Sequence, residues 1–308
     1  MSVGVVVNPA AGGGRLVAAW PRLAALLEAR VGPLDVLRTK APGEGRDLAA
    51  QLVRSGASLV IAAGGDGTAN EVVDGLLRAG GGPSLGVISV GTGRDFVRTL
   101  GNNSDLTAAV EAIGTGRTRK IDAGLVRYRD DNGAEEQRHF LNVASLGVSG
   151  PTVRAVNASK AGRRVHGKLA FYYHTIVELL HYRPQQVRVR FEDGEVIEVE
   201  TALVAIANGR FFGSGMMIAP DAELDDGLFD VLVYRAEGKV RMVLDFNLIY
   251  RGAHTRLPRV TIKRCRWVEV EPIGDVARNS AIIEIDGESP GRIPARFEIL
   301  PGALTLRA

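Results

Sequence analysis

The stretch "LVIAAGGDGTANEVVDGLL", residues 59–77, joins an apolar strand to a helix through a glycine-rich turn. Leu59 to Ala63 form an unbroken apolar run, Gly64-Gly65-Asp66-Gly67-Thr68 interrupt it, and a helix is expected from Ala69. Such a turn offers bare backbone N–H groups and a helix N-terminus, and both attract phosphate. Asp66 lies in the middle of it. At about 4 Å a carboxylate repels a phosphate charge by about 4 kcal/mol at an effective dielectric near 20. An acid placed here therefore makes sense only with a cation between the two anions.

Outward from this stretch the first third of the chain keeps alternating strands with helices. "VGVVV" (3–7) precedes the loop "NPAAGGGR", Leu16 to Ala29 is helix-like with a break expected at Pro21, and "LDVLRT" (34–39) leads to a helix from Gly45 to Arg54. "LGVISV" (85–90) then runs into "GTGRDF". Near-continuous Val/Ile strands separated by helices predict a doubly wound parallel α/β domain, with ligands at the carboxyl ends of the strands. Those ends carry Asn8-Pro9, Thr39, the Gly64–Thr68 turn and Gly91-Thr92.

After Asp122 the texture changes. "FLNVASLG" (140–147), 186–209, "LFDVLVY" (228–234), 259–272 and "AIIEIDGE" (281–288) alternate at period two, with a turn at Asp193-Gly194. They predict an antiparallel β-sandwich-like second domain. One helix is expected within it, at 167–182, where Leu169, Tyr172, Tyr173, Ile176, Val177 and Leu180 form a stripe at helical spacing. That stripe suits core packing; flanked by Arg163, Arg164 and Lys168, it also suits lipid headgroups.

With 308 residues, 45% of them hydrophobic and 24% charged, the chain has the make-up of a soluble protein of two cores. Its single cysteine, Cys265, permits no internal disulfide, fits a reducing cytoplasm and, within an alternating segment, reads as a buried small hydrophobe. No apolar run reaches the roughly 18 residues of a membrane span. Met1 to Val7 runs straight into a strand, so no signal peptide is expected. The net charge is only +3, but 154–190 carries eight Lys/Arg against Glu178, and 251–266 carries six against no acid. Each run alone suits a solvated face; together they direct attention to an anionic partner. Nucleic acid is disfavoured, because the runs lack interleaved aromatics.

Three carboxylates, Asp66, Asp95 and Asp122, fall near the phosphate-binding loops, the last two equally readable as cap and turn residues. A Mg²⁺ ion held by one or two carboxylates and substrate phosphates would reconcile them with an anion. The chain has no G-x-x-x-x-G-K-[ST] loop, no H-R-D or D-F-G set, and no His/Cys spacing for zinc.

In their order and spacing, "NPAAGGGR", "GGDGTANEV", "GVISVGTGRDFVRTLG", "IDAG", "LNVASLGV", "ANGRFFGSGMMIAPDAELDDGLFDV" and "IEIDGE" resemble the diacylglycerol kinase-like lipid kinases. The resemblance spans nearly the whole chain. It implies an ATP-binding domain over 1–123, completed by 295–308, and a lipid-substrate domain over 124–294. It implies that Asn8, Pro9, Gly12, Thr39, Gly65, Asp66, Gly67, Thr68, Asn70, Glu71 and Thr92 hold ATP. Asp66, Asp95 and Asp122 would form the acid and Mg²⁺ network, and Asp286 of "IDGE" would be the general base. Asp226 with the carbonyls of Glu223 and Leu228 would hold a structural Mg²⁺, although Asp225-Asp226-Gly227 also reads as a hairpin turn. One position departs: the family loop usually reads G-T-x-N-D-F, and the residue before the Asp here is Arg94.

The expected function is transfer of the γ-phosphoryl group of ATP, with Mg²⁺, to the hydroxyl of a lipid such as diacylglycerol. The protein would work in the cytoplasm, peripherally at the inner membrane face, and a homodimer through edge strands stays open. Two alternatives stand beside it. An NAD kinase shares GGDGT, but its T-P-T-G-S-T-A-Y segment is absent. A nucleotide- or lipid-binding protein without turnover is the other, with Arg94 as its hint.

Overall fold

A computed structural model describes residues 2–91, 93–101, 105–159 and 167–307, with side chains for all of these except 167–170. The N-terminal unit alternates as expected: β1 (Val3–Val7), α1 (Arg15–Val31), β2 (Leu34–Arg38), α2 (Glu44–Arg54), β3 (Leu59–Gly64), α3 (Asp66–Arg78), β4 (Ser84–Ser89), α4 (Asp95–Thr99) and α5 (Leu106–Thr115). β2, β1, β3 and β4 pair in parallel in that order. Apolar side chains fill both faces, with Val60, Val72, Leu76 and Leu85 on one and Val5, Leu16, Leu27 and Ile61 on the other. Burial on both faces explains why the strands read as unbroken apolar runs.

Two details differ from the sequence expectation. α3 starts at Asp66 rather than Ala69, so the acid sits in the first helical turn, where an anion is favoured by the helix dipole. α1 runs unbroken through Pro21. The proline is exposed, as is Val17 four residues back, so the carbonyl left without a partner meets water.

The chain then crosses into the second unit through β5 (Thr118–Asp130), β6 (Glu135–Phe140), β7 (Val143–Gly147), α6 (Ser149–Ala158), α7 (Gly167–His181), β8 (Gln185–Phe191) and β9 (Val196–Ala207). It continues with β10 (Phe211–Phe212), β11 (Met216–Met217), β12 (Phe229–Arg235), α8 (Lys239–Ile249), β13 (Val260–Cys265), β14 (Trp267–Pro272), α9 (Val276–Asn279), β15 (Ile282–Ile285) and β16 (Glu288–Arg307). Antiparallel pairing runs β7–β15–β16–β14–β8–β9 and returns from β9 to β7, which closes the sandwich on itself. Inside lie Phe140, Phe191, Phe229 and Phe297, with Cys265 buried among them and its thiol pushed by burial up to about 12. β16 pairs with β15 and β14 at its start, and its end runs parallel to β4 through Thr305 and Leu306.

The alternating segment 259–272 is two strands, divided at Arg266: β13 pairs with β12, whereas β14 pairs with β16 and β8. Where one helix was expected in this half there are also α6, α8 and the short α9. α8 escapes a periodicity reading because apolar residues occur all round it: Met242, Phe246 and Ile249 on the buried side, Val240 and Leu244 on the exposed side.

Candidate active site

The loops after β1, β3 and β4 meet because their glycines admit close backbone approach. A Cβ on Gly12 (φ +62°) would lie 2.7 Å from the Val90 carbonyl, and one on Gly91 would lie 3.2 Å from Gly65 Cα. Asn8 Nδ2 donates to Thr68 Oγ1 at 3.0 Å, fastening the first loop to the first turn of α3, and the Thr39 amide donates to the Val7 carbonyl. Pro9 lies beside them, half-buried. Thr92 lies outside the described residues. Glu71 faces the other way along α3, accepting from the amides of Gly43 and Gly45 at 2.8 and 2.9 Å.

Asp66 does not stand alone in its turn. The amides of Arg94, Asp95 and Phe96 at the start of α4 face its carboxylate and favour its ionised form. Asp95 lies beside it, and a Cβ on Gly93 would sit 2.9 Å from Asp66 Oδ2 and 3.4 Å from Asp95 Oδ2. Asp95 Oδ2 accepts from the Ser214 amide at 2.8 Å, while its Oδ1 is buried without a hydrogen bond. Burial raises both acids, and for Asp95 the charge of Asp66 adds to burial and brings it to about 7. A close pair of anions with an orphaned oxygen fits a divalent cation held by carboxylates and phosphate oxygens.

Asp286 occupies the turn between β15 and β16 in the left-handed region, at φ +45°. Its carboxylate accepts from the amides of Leu141 (2.7 Å), Asn142 (3.1 Å) and Val143 (2.9 Å). With its amide oriented as its neighbours require, Asn70 donates to Asp286 Oδ2 at 3.1 Å and to the His139 carbonyl at 3.2 Å. Burial pushes Asp286 up to about 6 against the pull of those amides, and the charge of Asp66 contributes in the same direction. Two residues back is an acid that motif reading passed over. Glu284 is 3% exposed, and burial brings it to about 8, so it is protonated at neutral pH. It forms a 2.5 Å hydrogen bond with Ser145 Oγ and accepts from the Gly287 amide at 2.7 Å. A neutral Glu284 adds no second charge beside Asp286.

Asp66, Asp95, Asp286 and Glu284 line one cleft with Gly65, Gly67 and the Ser214 loop. Phe171 and Phe212 stand in its wall and also line a second, narrow apolar pocket. That pocket lies beneath α6, α7 and α8 among Val148, Leu179, Met216, Met242 and Phe246. A polar acidic chamber thus adjoins a hydrocarbon-like one.

Asp122 is elsewhere. It is 2% exposed, and its two oxygens accept from the amides of Gly227 and Gly302, both at 2.7 Å. It binds the second-unit turn to β16 instead of facing the cleft. The turn expected to hold a structural metal also differs. Asp226 Oδ1 accepts from the Leu228 amide at 3.0 Å, its Oδ2 pairs with the Arg264 guanidinium, and Glu223 is exposed. Arg264 stands cross-strand from Asp230, 3.7 Å from that carboxylate. The Arg264 guanidinium takes the place beside Asp226 that a cation would take, while Asp226 Oδ2 and Asp230 Oδ2 are both buried without a hydrogen bond. Among the described residues no group of three or more His, Cys, Asp or Glu is arranged around a metal-sized site. The expected result is that Mg²⁺ without nucleotide leaves the thermal unfolding midpoint unchanged, whereas Arg264→Ala lowers it and Mg²⁺ then recovers part of the loss. A saturable Mg²⁺ stabilisation of the wild type that Asp226→Asn removes would contradict this assignment.

Arg94 precedes α4 with φ +53° and ψ +38°. The left-handed region costs most L-residues roughly 1–2 kcal/mol, and Asn occupies it more readily. This explains why an Asn suits the position. Arg94→Asn is expected to stabilise the protein by about 1 kcal/mol, raising Tm by about 2–4 °C in differential scanning calorimetry.

A family model described as "Diacylglycerol kinase catalytic domain" matches residues 2–126, and one described as "YegS C-terminal NAD kinase beta sandwich-like domain" matches residues 142–308. A curated diacylglycerol kinase of Mycobacterium tuberculosis is 31% identical over 304 residues, covering 98% of this chain and 93% of its own length. Another, from Staphylococcus saprophyticus, is 28% identical over 293 residues, with coverages of 95% and 90%. A crystal structure of a diacylglycerol kinase from Bacillus anthracis has a TM-score of 0.72 at 23% identity over 99% of this chain and 96% of that one. A second crystal structure from that organism has a TM-score of 0.79 at 24% identity, with coverages of 99% and 94%. At these identities the structural likeness speaks for the fold.

Proposed function

The chain belongs to the diacylglycerol kinase family, and from that premise we propose that it transfers the γ-phosphoryl group of ATP to the hydroxyl of a lipid such as diacylglycerol. The observation that carries the proposal is the junction of two pockets, the acidic cleft around Asp286 and the apolar pocket, which share Phe171 and Phe212. A lipid alcohol has this division of chemistry: one reactive hydroxyl on an apolar body.

Each group then has a task. The glycine-bare loops after β1, β3 and β4 take the triphosphate on backbone N–H groups. Asp66 and Asp95 would hold Mg²⁺, which when bound would neutralise charge on the phosphates. Asp286 accepts the proton that the lipid hydroxyl loses as it attacks the γ-phosphorus. The amides of 141–143 and Asn70 fix that carboxylate in one orientation. The apolar pocket receives hydrocarbon and keeps water from the hydroxyl.

The test is transfer of labelled γ-phosphate from ATP to a panel of lipids: diacylglycerol, a sphingoid base, phosphatidylglycerol and an isoprenoid alcohol. Label should appear in at least one lipid and depend on Mg²⁺. ATP binding with no lipid labelled across the panel would favour a protein that binds without turning over.

A further inference from the structure

α8 buries Met242, Phe246 and Ile249 against the apolar pocket, yet on its other side Val240 is 75% and Leu244 68% exposed. A helix apolar all round ordinarily belongs in an interior. α7 lies antiparallel beside it. The Tyr172 ring is 5.4 Å from that of Phe246, its hydroxyl donates to Asn247 Oδ1 at 3.3 Å, and at the far end Lys239 Nζ donates to the Leu180 carbonyl at 2.6 Å. α7 adds exposed Tyr173 and Leu180, seven residues apart and so on one face. On α8, Val240, Leu244 and Asn247 recur at helical spacing, with Arg251 next in the series just past the helix end.

The rim of this patch is cationic. Lys239, Arg241, Arg251 and Arg183 are exposed. Of the acids on the two helices, Glu178 is half-buried and Asp245 is buried, bonded to Tyr234 Oη at 2.5 Å and to Arg259 Nη2 at 2.6 Å. The neighbouring basic residues of β13 are spent within the protein: Lys263 pairs with Asp193, and Arg264 with Asp226. Just before α8, Glu237 is exposed and lies 3.5 Å from Arg259; an apolar strip edged mainly by cations matches the profile of an anionic lipid surface, with hydrocarbon below and negative headgroups around. A second copy of the chain fits poorly, because two such faces would set like charges against each other.

We propose that the outer face of α7 and α8 is a docking surface for an anionic lipid bilayer. It rests on the lipid-kinase reading in one respect: the same helices roof the apolar pocket, so an acceptor lipid would pass from bilayer to pocket without crossing water. No helix among the described residues is long and apolar enough to cross a membrane, and the contact is peripheral, through side chains that enter the headgroup layer.

The experiment is cosedimentation with vesicles of equimolar phosphatidylglycerol and phosphatidylcholine, with no ATP and no acceptor, against vesicles of phosphatidylcholine alone. The wild type should bind the anionic vesicles more tightly and lose binding as salt rises. Val240→Ser with Leu244→Ser should weaken binding by about tenfold or more, with Tm and turnover of a water-soluble short-chain diacylglycerol unchanged. Arg241→Gln with Arg251→Gln should remove most of the preference for phosphatidylglycerol. Vesicle binding equal to wild type in the Val240/Leu244 variant overturns the proposal. So does a wild-type dimer that this variant dissociates while vesicle binding persists. Docking that behaves as expected without phosphorylation of any acceptor would instead count against the lipid-kinase reading and leave the surface standing.

Discussion

Asp286→Asn is expected to lower kcat by about 10²–10⁴-fold, the range that a positioned general base contributes, while the protein stays folded. Asn keeps the size of Asp and one acceptor oxygen for the amides of 141–143, but it cannot take a proton from a lipid hydroxyl. The wild-type pH profile gives an independent check. Asp286 must be ionised to act and titrates near 6, so kcat/KM should rise about tenfold per pH unit below 6 and level off above it. The variant should lose that rise. Stability runs in the opposite sense. Because the folded value is raised from 3.8, the stability this group contributes is complete below about 3.8 and is lost as pH climbs through about 6. Activity therefore gains from the same ionisation that costs stability, as befits a group placed for chemistry. Steady-state kinetics between pH 5 and 8, with unfolding curves at each pH, would measure both; full activity in the folded variant would remove Asp286 from its role.

Much of the molecule could be read from local pattern. The parallel strands announced themselves as apolar runs, and the "GGDGT" and "IDGE" turns as sites, because strand burial and glycine conformation are local requirements. What escaped depended on distant partners. The environment of Glu284 comes from Ser145, 139 residues away, and from an interior that makes it neutral. Arg264 meets Asp226 only because β13 folds against β12. The basic run 251–266 suited a solvated face when taken alone, yet Arg259 is buried against Asp245 and Arg266 pairs with Glu192. Position in sequence gave those residues their charge but not their partners. α8 was illegible for the reason that makes its surface of interest: with apolar residues on both sides, it shows no stripe.

Asp122→Ala supplies the complementary result, a large loss of stability with little loss of turnover. Beside the family's acids in sequence, Asp122 resembled a member of the phosphate network; in space it joins segments 105 and 180 residues away through the amides of Gly227 and Gly302. Its own amide donates to the Leu224 carbonyl at 2.6 Å, so the strand entering the second unit is held at both backbone and side chain. Removing the carboxylate leaves two half-buried N–H groups without their acceptor. Hydrogen bonds to a charged group contribute about 1.5–3 kcal/mol each, so a cost of roughly 3–5 kcal/mol is expected, with Tm lower by on the order of 10 °C. Asp122→Asn, which restores one acceptor, should recover part of it. At a temperature where the variant remains folded, its kcat and its Mg²⁺ dependence should stay within about twofold of wild type, since none of its partners lines the cleft. A variant of unchanged Tm whose kcat fell as far as that of Asp286→Asn would return Asp122 to the phosphate network, and would require the turn at Gly227 to move away from it when nucleotide binds.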